Sequence, residues 1–194
     1  VTAQANMESV IGEMTKQQGN DFSRVMARFA NRINLTGANV AEVIQKRLLS
    51  KKEIGKQQLE SIYQQQVSNL KTLFDFADGG RAYLNFKDSD HFVCSYPFIP
   101  YQFALFQASI QQLSSHHFFQ GKFTSVGERS MLGVFQQVAI AIDNYPVGRL
   151  ATFDLMFEGI RTALKPNSQH AILIAEQYLN DAYAVRVLKA LFLV

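Results

Sequence analysis

Residues 96–121 contain no Asp, Glu, Lys or Arg. Apolar groups in so long an uncharged run gain free energy only by burial, so this stretch is expected at the centre of the structure. Cysteine is nearly missing as well, with Cys94 alone among 194 residues. That excludes an internal disulfide, and the apolar neighbours of Cys94 read as those of a small core residue in a reducing, cytoplasmic setting. No apolar run reaches membrane-spanning length, and the first residues are too polar for a secretory signal, so a soluble chain with no membrane partner is expected. Net charge is thin at +3 and spread over both halves, a balance that neither demands nor excludes nucleic acid.

The motifs of common chemistry are missing too. A phosphate-cradling loop needs two glycines at fixed spacing followed by Lys and Ser or Thr; Gly55-Lys56 and Gly121-Lys122 lack both the earlier glycine and the following hydroxyl. His116-His117 are adjacent and read as part of a polar loop, and Cys94 stands alone, so no pair has zinc-ligand spacing. No nucleophile elbow surrounds a serine. The chain by itself is expected to catalyse nothing and to hold no cofactor or metal.

Helical periodicity is what the sequence does carry. Met7, Val10, Ile11 and Met14 repeat at helical spacing, as do Phe22, Val25, Met26, Phe29 and Ile33, before Thr36-Gly37 breaks the pattern. A third helix is expected over 39–49 on Val40, Val43, Ile44 and Leu48. A fourth, capped by Ser50, runs on Leu59, Ile62, Tyr63, Val67, Leu70 and Phe74 and ends at Gly79-Gly80. Next, Ala82-Tyr83-Leu84-Asn85-Phe86 and His91-Phe92-Val93-Cys94-Ser95-Tyr96 read as a strand pair turning at Asp88-Ser89-Asp90. Pro100 suits the first turn of a helix bearing Phe103, Phe106, Ile110 and Leu113. Ser125 is placed to cap another, with Leu132, Phe135, Ala139 and Ile142 as its buried stripe. Thr152 can cap a short helix through Ile160, and two closing helices follow, about 170–179 and 181–193. The expected fold is mainly α, with a helical arm over 1–80, then a small two-stranded β element and a lid-like helical bundle over 81–194. The start at Val1 and the apolar stop at Leu191-Phe192-Leu193-Val194 suggest a piece cut from a longer protein, although a terminal helix docked in its own core would also explain that end.

Two places could carry chemistry. Arg129, beside Glu128, falls in the first turn of a helix, where a guanidinium faces the unfavourable end of the macrodipole. An anionic partner such as a nucleotide phosphate held by another part of the protein explains it, and so does a local contact with Glu128 that orders the preceding loop. The second place is the run Lys46, Arg47, Lys51, Lys52 and Lys56 around a helix junction. It is able to form a basic ridge for nucleic-acid phosphates or simply a solvated helix end with Glu42 and Glu53 nearby. Aromatic residues do not interleave with these bases, which weakens single-strand recognition by stacking. A helical protein-interaction module is the remaining class.

Tyr96-Pro97-Phe98-Ile99-Pro100-Tyr101-Gln102-Phe103, Gly127-Glu128-Arg129-Ser130-Met131-Leu132 and Leu188-Lys189-Ala190-Leu191-Phe192-Leu193 resemble, in order, stations of the BrxC family of BREX-system P-loop ATPases, and Val43-Ile44-Gln45-Lys46-Arg47-Leu48-Leu49 is similar to a fourth. BrxC is a large bacterial ATPase of an anti-phage defence system. The resemblance implies a fragment downstream of the nucleotide-binding motifs, with a late core strand at 92–96 running into the lid of an AAA+-like core. It further implies ATP and Mg bound by the parent rather than by this piece. The partners implied are the remainder of the parent, other BREX proteins, DNA and a homo-oligomer. Arg129 becomes a nucleotide-sensing arginine, with Glu128 beside it.

Overall fold

The chain divides into two compact units, Val1–Gly37 and Ala38–Val194. The computed structural model describes residues 40–74, 83–120 and 128–194, with only the backbone of 128–130. The two helices expected before residue 37, the Gly79-Gly80 stop and the Ser125 cap lie outside the described residues.

Eight α-helices make up the described part: α1 Val40–Arg47, α2 Glu53–Leu73, α3 Ser89–Ser95, α4 Pro100–Ser115, α5 Glu128–Ala141, α6 Leu155–Ile160, α7 Pro166–Tyr178 and α8 Ala182–Leu193, with a 3-10 turn at Arg161–Ala163. The mainly helical expectation holds. Pro100 and Pro166 each occupy the first turn of their helix, where the missing N–H has no intrahelical partner to lose. Asp181 caps α8, its carboxylate accepting from the N–H groups of Tyr183 (2.8 Å) and Ala184 (3.2 Å). The expected caps at Ser50 and Thr152 are not used: Lys52 and Asp154 stand at those N-cap positions without side-chain cap bonds.

The strand pair is a correction. Residues 91–95 belong to α3, and no strand occurs among the described residues. Asp88, expected in a turn, is instead the N-cap, its Oδ1 accepting from the His91 N–H at 2.7 Å. Helical geometry sends Phe92 and Val93 inward and leaves Cys94 exposed, so the core role expected for that thiol is also corrected. Residues 83–87 run irregularly into that cap.

Two apolar clusters organise the packing. The larger draws on α1, α4, α5, α6, α7 and α8 and includes Phe98, Phe106, Phe135, Met156, Phe157 and Ile172. The smaller joins Leu59, Tyr63 and Leu70 of α2 to Phe86, Phe92, Val93 and Ile99. α1 and α2, which the sequence assigns to the arm, thus share their cores with segments beyond residue 81. The uncharged stretch lies where expected, with Phe98, Gln102 and Phe106 wholly buried. Gln102 fixes the entry to α4 by accepting from the Ile99 N–H (3.0 Å) and donating to the Ala151 carbonyl (2.8 Å). Gly159 allows α5 and α6 to meet, since a Cβ there would lie 2.5 Å from Val134 Cγ1.

Candidate functional site

α5 begins at Glu128, so the backbone of Arg129 lies in its first turn, as the sequence requires. The side chains of Glu128 and Arg129 lie outside the described residues. The remainder of α5 is seated firmly. Phe135, fully buried, stacks on Phe103 at 4.9 Å and meets Phe98 and Phe106 edge-on at 4.8 and 5.8 Å. Met131, Val134 and Val138 complete a buried face broader than the expected Leu132, Phe135, Ala139 and Ile142 stripe; Leu132 and Ala139 are only partly buried.

The basic segment is divided among separate tasks. Lys46 donates to Glu42 at 2.6 Å and Lys56 to Glu53 at 3.0 Å, both exposed helix pairs of the kind that contribute a few tenths of a kcal/mol. Arg47 and Lys52 are exposed. Lys51 turns towards the end of α3 and donates to the Cys94 carbonyl at 3.3 Å, close to where Gln45 Nε2 donates to Ser95 Oγ at 3.0 Å. Burial of the amine lowers the Lys51 pKa to about 8. Two of the five cations are therefore matched by neighbouring carboxylates, and a third is drawn out of water.

That desolvation has a measurable sign. Between about pH 8 and pH 10.5 the unfolded chain holds a proton on Lys51 that the folded chain has lost, so stability rises with pH across this window. Lys51→Met removes the burden of a charge at that position. Allowing for water that still reaches the amine, the variant is expected to be about 1 kcal/mol more stable at pH 7, with the gain fading towards pH 10. Urea unfolding at both pH values measures it.

A third cluster was not legible as a site. Arg161 donates to Glu176, and its Nε lies 3.1 Å from Glu158; Lys189 donates to Glu158 at 2.6 Å and pairs with Glu176 at 2.7 Å. Arg186 meets Asp154 at 3.1 Å and Thr152 Oγ1 at 3.0 Å. These contacts clamp α8 to α6 and to α7. Two carboxylates face two cations in the first group, so charge is balanced within it, and the arrangement holds helices rather than offering a reactive group. The sequence signal was the i, i+3 pair Glu158 and Arg161; the remaining partners are remote in the chain.

A cleft of about 340 Å³ opens between α2 and the loop after α5, lined by Gln65, Gln66 and Asn69 on one side and by Val147, Gly148 and Leu150 on the other. Gly148, at φ 101°, adopts the left-handed conformation that glycine tolerates, and its N–H donates to the Tyr96 hydroxyl at 2.9 Å. The lining carries no formal charge. Among the described residues, no group of three or more His, Cys, Asp or Glu side chains could hold a metal ion, and no helix is long and apolar enough to cross a membrane. No family model matches the sequence, and no solved structure matches the chain.

Proposed function

We propose that this chain is a non-catalytic helical coupling module of a larger nucleotide-driven protein, of the kind its resemblance to the BrxC family implies. ATP and Mg would be held by other parts of that parent. The single observation supporting this reading is the seating of α5. The helix that presents Arg129 in its first turn is gripped half-way along by three aromatic rings around Phe135. A displacement at its start therefore cannot be absorbed locally, because a close-packed core passes strain on rather than yielding to it. Arg129 would sense phosphate charge delivered from elsewhere, and the bundle of α4–α8, acting as a lid, would carry the response.

The sequence alternative of a nucleic-acid module is less well supported, because Lys46 and Lys56 are committed to carboxylates and Lys51 to a carbonyl. In the intact parent, Arg129→Ala is expected to preserve folding and nucleotide binding while slowing ATP hydrolysis by roughly a thousand-fold and abolishing protection against phage. Wild-type hydrolysis in that variant would refute the sensing role.

A further inference from the structure

Lys51 and Cys94 meet where the connection from α1 to α2 passes the end of α3. The Lys51 amine donates to the Cys94 carbonyl at 3.3 Å, and the exposed thiol belongs to that same residue. The approach is fixed by the packing around it: Phe92, Val93 and Ser95 are buried on either side of Cys94, and Gln45 of α1 donates to Ser95 Oγ at 3.0 Å. Among the described residues no carboxylate pairs with Lys51; Glu53, the nearest in sequence, is held by Lys56 at 3.0 Å.

Two nucleophiles of different character thus share one place. The thiol is open to reagents but forms labile thioesters, whereas the amine forms stable amides and is partly withdrawn from water. Burial that strips the amine of its proton also keeps a bulky donor away from it. With a pKa of about 8, Lys51 is unprotonated in about a quarter of molecules at about pH 7.5, against about one in a thousand for an ordinary lysine. The charge of a Cys94 thiolate opposes that lowering, so the two groups lie within each other's field.

We infer that Lys51 is an acylation site served by Cys94, the thiol taking an acyl group from a soluble acyl thioester and passing it to the amine. First, the Cys94 thiolate attacks the donor's carbonyl carbon; a bond to Cys94 Sγ forms, the donor's carbon–sulfur bond breaks, and the proton given up by Cys94 ends on the departing thiol. Second, neutral Lys51 Nζ attacks the new thioester; the carbon–nitrogen bond forms as the carbon–sulfur bond breaks, Cys94 leaves with the electron pair, and the surplus proton on nitrogen restores the thiol. Nothing is oxidised or reduced, and each chain reacts once, so this is modification rather than turnover. The product suits the site: an amide at Lys51 has no charge to desolvate and keeps one N–H for the Cys94 carbonyl, while the basic segment loses a cation.

Acetyl-coenzyme A added to the full 194-residue chain, followed by peptide mass spectrometry, is the test. Lys51 is expected to gain acetyl at least about ten-fold faster than the exposed Lys52 and Lys71. Cys94→Ala removes the thiol but keeps the backbone carbonyl, and should slow Lys51 at least about ten-fold while leaving Lys52, Lys71 and the helical circular dichroism unchanged. In Lys51→Met the acetyl group should stay on Cys94 as a thioester that neutral hydroxylamine removes. Lys51 reacting no faster than Lys52, or as fast without the thiol, overturns the inference, and so does acetyl that stops on Cys94 of the unsubstituted chain. The inference is independent of the coupling role of α5, and Arg129→Ala should be acetylated as the parent chain is.

Discussion

Phe135→Ala is expected to lower the unfolding free energy by about 4 kcal/mol, within the range measured for truncating a wholly buried aromatic ring. Two effects add. The ring leaves water completely on folding, so its transfer free energy is lost in full. A cavity also opens where Phe98, Phe103 and Phe106 now touch it, and these three belong to different parts of the 98–106 segment, so they cannot all move in without disturbing the start of α4. Loss of the ring pairs themselves adds about 0.5–1.5 kcal/mol for each contact not remade. Against a total stability of about 5–15 kcal/mol, such a loss leaves the variant marginal. Phe135→Leu, which keeps most of the volume, should lose less than half as much. Ile54→Ala, at an exposed position of α2, should move stability by less than about 0.5 kcal/mol. Denaturant titration of the three variants is the measurement; equal losses for Phe135→Ala and Ile54→Ala would contradict the aromatic centre.

That centre was visible in the sequence because Phe103, Phe106, Ile110 and Leu113 repeat at a period only a helix satisfies, and Phe135 belongs to a second such series. The α3 segment was not, for the same physical reason turned round. Phe92 and Val93 make an apolar run too short to reveal a period, and Asp88 serves equally well as a turn residue or an N-cap until its bond to the His91 N–H is seen. Misplacing Cys94 followed directly, since neighbours along a helix point to different sides while neighbours in an apolar strand can all be covered. The pairing of Lys46 and Lys56 was readable, because Glu42 and Glu53 stand one helical turn away. The clamps on α8 were not: Lys189 meets a partner 31 residues distant and Arg186 one 32 residues distant, and no local spacing encodes such encounters. An exposed apolar side of α8 escaped notice for a related reason. Arg186 and Lys189 are the only charges of α8, so its sequence does not say which apolar side is covered, and only packing shows that Tyr183 and Leu191 are left exposed.

Glu176→Gln is expected to destabilise the chain by about 2 kcal/mol at pH 7, and the deficit should shrink as the pH falls. Hydrogen bonding from Arg161, reinforced by Lys189, lowers the Glu176 pKa from 4.5 to about 2. Above the unfolded value both states carry the carboxylate, and the folded state alone enjoys its two cations, so the stabilisation is complete there. Below it the unfolded chain takes up a proton that the folded chain resists, and the advantage drains away until both are protonated below about pH 2. The full shift corresponds to roughly 3 kcal/mol; with the carboxylate about a quarter exposed (26%), screening reduces this to about 2 kcal/mol. By pH 3 less than half of it should remain. Glutamine keeps the shape and one acceptor but not the charge, leaving Arg161 and Lys189 to share Glu158, so the variant's stability should be nearly flat in pH where the parent's slopes. Unfolding curves of both proteins between pH 7 and pH 3 would separate this from a mere packing defect, because a packing defect shifts the two curves by a constant amount and an ion-pair loss makes them converge.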